Sequence, residues 1–156
     1  MKIELASEQD LDHILELQRR AFHGQALIYN DFTLPSLVQT IVDLKKEFKE
    51  KTFFKVEKKG KIIASIRCFI NDRTLYIEKL VVEPEFQNKG IGTAIMREIE
   101  NRYSAVVNRY ELSTGHKSDR SLHLYKKLGY KEMRQESLND NCVLIVLGKS
   151  AVKDSK

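Results

Sequence analysis

The residues best suited to chemistry lie in one stretch, Leu80-Val81-Val82-Glu83-Pro84-Glu85-Phe86-Gln87-Asn88-Lys89-Gly90-Ile91-Gly92-Thr93. An apolar strand-like run passes into a short loop, and the loop opens a helix at glycines. Glycine lets backbone N–H groups approach a ligand with no Cβ in the way. The first turn of a helix adds free N–H donors and the positive end of its dipole. Lys89 brings a charge and Gln87 a polar contact, so the stretch can cradle a pyrophosphate. A plain strand-to-helix turn closed by glycines has the same spacing. Two better-known phosphate patterns are a poor match. A Walker loop ends in Gly-Lys-Ser/Thr, whereas Gly90-Ile91-Gly92-Thr93 has no such lysine. A dinucleotide fingerprint has a third glycine where Ile95 stands, and Pro84 to Lys89 separate the strand from the first glycine. Glu111, about 20 residues past the glycines, is the one feature in its favour.

The elements that must position this stretch can be read from periodicity. Residues 2–5 alternate as a first strand. Ser7 and Asp10 form a capping box, and Leu11, Ile14, Leu15, Ala21 and Phe22 mark a helix ending near His23-Gly24. Residues 24–33 are expected to be irregular. Pro35 opens a second helix, with Leu37, Ile41, Leu44 and Phe48 at helical spacing and KKEFKEK (45–51) as its solvated end. TFFKVE and KIIASIRCFI form a hairpin around Lys59-Gly60, and residues 74–82 form a third long strand after the Asn71-Asp72-Arg73 turn. A helix runs from Gly90 through Tyr103, a strand covers 106–113, and a helix covers about 119–128, stopped by Gly129. KEMRQESL and CVLIVLGK are the last two strands, joined at Asn139-Asp140-Asn141. The order β-α-α-β-β-β-α-β-α-β-β implies an α/β fold: a mixed, largely antiparallel twisted sheet of about seven strands with helices on both faces. One domain, 1–149, is followed by a frayed tail, 150–156.

Composition narrows the function classes. The chain has 156 residues, 42% hydrophobic and 31% charged, as in a folded globular domain. No apolar run is long enough for a membrane helix and no signal core begins the chain, so a cytoplasmic protein without a membrane partner is expected. Cys68 and Cys142 sit in separate apolar strand runs and read as buried reduced thiols. His13, His23, His116 and His123 lack metal-ligand spacing, so no metal is expected. Lys plus Arg number 27 against 22 Asp plus Glu, a net charge of +5, but the charges are dispersed and no nucleic-acid partner is expected.

Val82-x-Pro84 followed by Gln87-Asn88-Lys89-Gly90-Ile91-Gly92 resembles the acetyl-CoA-binding signature of the GNAT superfamily of N-acetyltransferases. Ser121-Leu-His-Leu-Tyr125-Lys-Lys-Leu-Gly129-Tyr130 is similar to the later helix of that family, with its Tyr and closing Gly-Phe/Tyr. The two motifs occupy 76–93 and 118–130, in family order, and the element order agrees over 2–149.

The resemblance implies a mechanism residue by residue. Two parallel strands, 74–82 and 106–113, would splay around the cofactor. The backbone of Leu80, Val81 and Val82 would pair with its pantetheine arm, and an N–H near Val82 would polarise the thioester carbonyl. Gln87, Asn88, Lys89, Gly90, Ile91, Gly92 and Thr93 would hold the pyrophosphate, with Lys126 and Lys127 near the ribose phosphate. Ser118 stands where many relatives carry an Asn that contacts CoA. Tyr125 would be the general acid for the departing thiolate, and it also counts among the cofactor contacts. Glu78 is the candidate base or substrate anchor, because strand alternation sets it on the face of Tyr76, Leu80 and Val82. A structural pairing with Lys79, Arg67 or Arg73 is the alternative. Tyr29, Asp31 and Thr114 are the acceptor-side candidates, with Asn30 and His116 nearby in sequence.

The expected function is therefore transfer of acetyl from acetyl-CoA to a primary amine of a small molecule or peptide, by direct attack in a ternary complex. Acetylation of protein N-termini or lysines, a CoA-binding module without turnover, and a dinucleotide binder are the alternatives. Members of the family are often homodimers, though no heptad or exposed apolar stripe here requires one. A polycationic acceptor would need a local acidic pocket around Glu78 and Asp31 to overcome the net positive field.

Overall fold

The strand runs form β1 (Glu4–Leu5), β2 (Thr52–Lys58), β3 (Lys61–Asn71), β4 (Thr74–Val82), β5 (Arg109–Gly115), β6 (Lys131–Asn139) and β7 (Cys142–Ser150). The helices are α1 (Leu11–Tyr29), α2 (Pro35–Val38), α3 (Ile41–Glu50), α4 (Ile91–Tyr103) and α5 (Asp119–Lys127). The computed structural model describes residues 1–151. One sheet joins all seven strands in the order β1-β2-β3-β4-β5-β7-β6. Every neighbouring pair is antiparallel except β4 and β5. Among the described residues no helix is long and apolar enough to cross a membrane.

Two apolar layers clamp the sheet. On one face Ile95, Met96 and Ile99 of α4 and Tyr125 of α5 pack on Phe54, Ile66, Leu75, Ile77 and Leu112. On the other, Leu11, Ile14, Leu15 and Leu17 of α1 and Leu44 of α3 pack on Phe53, Ile62 and Val81. Each of these fully buried aliphatic side chains contributes about 1.5–3 kcal/mol relative to leaving it in water. Cys68 and Cys142 are both buried thiols.

The structure departs from the periodicity reading in five places. α1 does not stop at Gly24; it continues to Tyr29, because Ala26 and Tyr29 extend its buried stripe, and it closes at Asn30 with a left-handed φ of 51°. The second helix is broken into α2 and α3, since Gln39 is extended and Thr40 starts a new helix by accepting the Asp43 N–H at 3.2 Å. The first strand shortens to Glu4–Leu5, and β5 starts at Arg109 because the Val106 and Val107 amides bond back to the Tyr103 carbonyl and close α4. Two residues of the expected frayed tail join the sheet: Ser150 belongs to β7, and the Ala151 amide donates to the Asn108 carbonyl at 2.9 Å. The rest of that tail, 152–156, lies outside the described residues.

β4 carries the feature that matters most for the site. Its register with β3 pairs Arg67 with Glu78 and Ser65 with Val81, so Lys79 and Leu80 together oppose Ile66. Lys79 takes a left-handed φ of 54° in this bulge. A bulge interrupts the two-residue alternation of side chains. Leu75 and Ile77 face α4, but beyond the bulge Val81 faces α1 while Leu80 and Val82 pack towards α4. Strand alternation without the bulge places Glu78 beside Leu80 and Val82; the bulge separates them.

Candidate active site

β4 and β5 are hydrogen-bonded only from Thr74–Tyr76 to Arg109–Glu111. Beyond Tyr76 the strands part. β4 stays bonded to β3 as far as Val82, and β5 to β7 as far as Gly115. The edges that face each other across this wedge have no ladder partner among the described residues. Backbone donors and acceptors so placed can pair with an inserted extended chain.

The loop after β4 supplies a second set of free donors. Pro84–Phe86 form a short 3-10 turn, then Asn88 (φ 62°) and Gly90 (φ 80°) turn the chain through left-handed conformations. The Ala94 amide is the first to find a helical acceptor, the Gly90 carbonyl at 3.1 Å. Among the described residues the amides from Asn88 to Thr93 have no acceptor. They converge at the N-terminus of α4, where the dipole also favours an anion. Gly92 lies against Leu124 and Leu80, so the loop is seated directly on α5 and the end of β4. Buried Glu83 anchors its first residue, pairing with Arg20 of α1 at 3.1 Å and Lys61 at 3.3 Å.

The expected cofactor contacts are not equally free. Asn88, Lys89 and Gly90 are exposed, whereas Ile91, Gly92 and Thr93 are half-buried. The Lys89 ammonium sits over the Phe86 ring, 5.6 Å from its centroid. Gln87 is instead a brace: its Nε2 donates to the Val82 carbonyl at 2.9 Å and its Oε1 accepts from Arg120 at 3.0 Å. Ser118 is buried, and its hydroxyl is already engaged, donating to Gln25 Oε1 at 2.7 Å and paired with the Tyr29 hydroxyl at 2.8 Å. Lys126 and Lys127 are exposed on the last turn of α5.

Tyr125 projects from α5 into the core on the α4 side, with its ring edge-on to Tyr130, centroids 6.0 Å apart. Gly129, at φ 100°, ends the helix and lets the Tyr130 amide reach the Tyr125 carbonyl at 3.0 Å. The Tyr125 hydroxyl has no protein partner among the described residues, yet it is not sealed from solvent. Burial pushes its phenol up to about 12.

The acceptor-side candidates divide between places. Tyr29 is buried at the end of α1, where its hydroxyl accepts the Lys117 amide at 2.8 Å. Burial raises its pKa, opposed by the hydrogen bond with Ser118. A Cβ at Gly115 would collide with this hydroxyl, so the close approach requires glycine. Tyr29, His116, Lys117, Asp140 and Cys142 line a cleft of about 340 Å³. Thr114 has the parity of Tyr110 and Leu112 in β5 and therefore lies on the α4 side, opposite to Tyr29. Asp31 is occupied locally by Thr33, whose hydroxyl donates at 2.6 Å, and by Asn139 at 2.8 Å.

Glu78 pairs with none of Lys79, Arg67 or Arg73. Its partner is Lys51, which follows α3 and also binds Glu47 at 2.8 Å. Glu47 in turn accepts from buried Arg67 at 2.9 Å and from Gln39 at 2.8 Å, while Arg67 also binds Gln18. The end of the KKEFKEK run is therefore turned inward, not solvated throughout. Burial would raise the Glu47 carboxyl, but the Arg67 charge and the Lys51 and Gln39 hydrogen bonds hold it below the ordinary value. The dinucleotide reading loses its support, because Glu111 is held by Arg109 at 2.9 Å and Arg134 at 3.3 Å. Glu111 also pairs with Tyr76, six residues and roughly 20 Å along β4 from the loop.

The family model described as Acetyltransferase (GNAT) family matches residues 11–130. This chain belongs to the GNAT acetyltransferase family. An uncharacterized N-acetyltransferase of Methanocaldococcus jannaschii, MJ1207, is 27% identical over 138 residues, covering 83% of this chain. The match spans about 60% of that relative's length. The fold is similar to that of the ribosomal-protein-S18-alanine N-acetyltransferase from Escherichia coli, with a TM-score of 0.80, 15% identity and coverage of 99% and 96% of the two chains. It is also similar to spermidine N-acetyltransferase from Vibrio cholerae, solved in complex with CoA and spermine, with a TM-score of 0.75, 14% identity and coverage of 96% and 95%.

Sequence reading missed Arg120, Lys51 and Lys79 as site residues. Arg120 had a legible signal, since a cation in the first turn of α5 opposes the helix dipole and is better placed beside an anion. Lys51 and Lys79 had none, because their neighbours come from elements far apart in the chain.

Proposed function

We propose that this chain transfers an acetyl group from acetyl-CoA to a primary amine by direct attack in a ternary complex. The observation that carries the reading is the wedge between β4 and β5, which runs out at a helix N-terminus with unaccepted amides from Asn88 to Thr93. The residues present fit the cofactor. The free β4 edge around Leu80, Val81 and Val82 would hold the pantetheine amides. The Asn88–Thr93 amides and Lys89 would hold the pyrophosphate, and Gln87 would act through its hold on the Val82 carbonyl. Arg120 is the cation best placed to add to the phosphate contacts. Acetyl-CoA supplies the activated acetyl group as a thioester.

The chain's own groups manage the protons. An amine with an ammonium pKa of roughly 10 must shed a proton before it attacks. Among the described residues Glu78 has Oε1 on Lys51 but leaves Oε2 without a partner, so it can accept that ammonium's hydrogen bond and then its proton. Tyr125 is the donor to the departing thiolate: its phenol is un-ionised at neutral pH and its hydroxyl has no competing acceptor among the described residues. A backbone N–H at the β4 bulge polarises the carbonyl.

The test is release of free CoA thiol across amines, amino acids, polyamines, aminoglycosides and short peptides, alongside acetyl-CoA binding by thermal shift. Release that depends on an added amine, and falls in Tyr125→Phe, supports transfer. Acetyl-CoA binding with no amine-dependent release, and with variants equal to the parent, makes the chain a CoA-binding module. No stabilisation by acetyl-CoA removes the reading altogether.

A further inference from the structure

The side chains beside the β4 bulge carry more positive than negative charge. Among the described residues, Arg67 from β3, Lys51 after α3, and Lys79 in the bulge interact with only two carboxylates, Glu47 and Glu78. The pairing accounts for all but one of these groups. Glu47 is shared by Arg67 and Lys51, and Lys51 also holds Glu78. Lys79 makes no ion pair or hydrogen bond among the described residues, although its charge feels Glu78, Glu47, Arg67 and Lys51. It is half-buried, and no side-chain nitrogen or oxygen among the described residues is both sealed from solvent and without a partner. The Lys79 ammonium therefore has an open side and, among the described residues, no carboxylate within ion-pair or hydrogen-bond distance.

Its place in the fold gives that open side a meaning. Glu78 and Lys79 follow Ile77, the first β4 residue past the last β4–β5 pair at Tyr76, and so lie where the wedge opens. A half-buried ammonium is costly unless an anion compensates it. Beside it, Glu78 Oε2 is a carboxylate oxygen with no partner among the described residues. Two adjacent residues thus present a free acceptor for an ammonium and a free donor for a carboxylate. The acidic pocket that a polycation would need does not form, since Asp31 is tied to Thr33 and Asn139 and Glu78 is balanced by Lys51.

We infer that the acceptor is an amine that also carries a carboxylate, of the α-amino acid class, with its ammonium at Glu78 and its carboxylate at Lys79. This rests on the acetyl-transfer reading above and names the acceptor class for the same site. Polyamines and aminoglycosides lack the anion that Lys79 requires and add charge that Arg67, Lys51 and Lys79 repel.

The experiment measures CoA-thiol release by the full chain with each L-amino acid, its α-amide and its decarboxylated amine, plus spermidine and an aminoglycoside. Acetyl-CoA binding is recorded in parallel by thermal shift. At least one free acid should exceed its own amide and amine by tenfold or more in kcat/KM. Lys79→Met should bring that ratio to about one and Lys79→Arg should retain it, with acetyl-CoA binding kept in both. Equal or better use of the amides and amines overturns the inference, as does turnover confined to spermidine or the aminoglycoside. A preference that survives Lys79→Met overturns it too, as does release with no acid above background hydrolysis while acetyl-CoA binds. Failure of acetyl-CoA to stabilise the parent chain is a different result: it removes the acetyl-transfer reading itself.

Discussion

Gln87 donates its side-chain N–H to the carbonyl of Val82, 2.9 Å away, and so ties the loop before α4 to the last residue of β4. The same side chain accepts from Arg120, which draws the first turn of α5 into the connection. The cradle at α4 and the wedge at β4 are thereby held as one surface, on the element that also carries Tyr125. Gln87→Ala should weaken acetyl-CoA binding about 3- to 10-fold, the effect of a lost hydrogen bond worth about 1 kcal/mol. Isothermal titration with acetyl-CoA measures it, and unchanged affinity would show that the brace does not matter.

Arg120→Gln should reduce affinity for CoA through its phosphates. The salt dependence of binding should flatten as well, because a charge contact is screened by added ions. Titrations at low and high salt provide the measurement; equal slopes for parent and variant would mean Arg120 serves Gln87 alone.

Tyr125→Phe should lower kcat by about 100-fold or more, in line with the loss of a positioned general acid, while leaving the KM for acetyl-CoA near its parent value. The pH profile gives an independent reading. With the Tyr125 phenol pushed up to about 12, the acid form persists throughout the range from pH 7 to 10. Rates should rise with pH as the acceptor amine loses its proton, with no falling limb in that range that Tyr125→Phe abolishes.

Glu47→Ala should destabilise the fold by about 3 kcal/mol, since it leaves buried Arg67 without its carboxylate. Acidity probes the same contact. The folded Glu47 carboxyl is held below its unfolded value, so its contribution is present above roughly pH 4 and is lost as pH falls through the folded value. Denaturant titrations between pH 3 and 6 should show this loss in the parent and a shallower dependence in Glu47→Gln.

Gly115→Ala should be tolerated poorly, because the new Cβ would meet the Tyr29 hydroxyl and disturb its bonds to Ser118 and Lys117. An overpacked buried contact of this kind costs about 1–3 kcal/mol. Pairing it with Tyr29→Phe, which removes the obstructing hydroxyl, should recover part of the loss. Additive losses would rule out the collision as the cause.

Much of this protein can be read along the chain because its signals are local. Gly129 at the end of α5, the loop from Gln87 to Thr93, and the hairpin turns at Lys59-Gly60 and Asp72-Arg73 all depend on backbone preferences within a few residues. The apolar repeat of α4 likewise declares which face is buried, and the unbroken run of β3 declares a strand covered on both faces, hence the mixed sheet with helices on both sides. Tertiary structure alone decided what surrounds Glu78. The bulge at Lys79 arises from β4 lying against β3, and it sends Leu80 and Val82 to the opposite face from the one alternation predicts. Lys51, Glu47, Arg67 and Gln18 come from α1, α3 and its end, and β3, and they share charge only because both helices pack over the same stretch of sheet. Ion pairing depends on distance in space. No periodicity in the chain records that Lys51 meets Glu78 or that Lys79 forms no ion pair among the described residues.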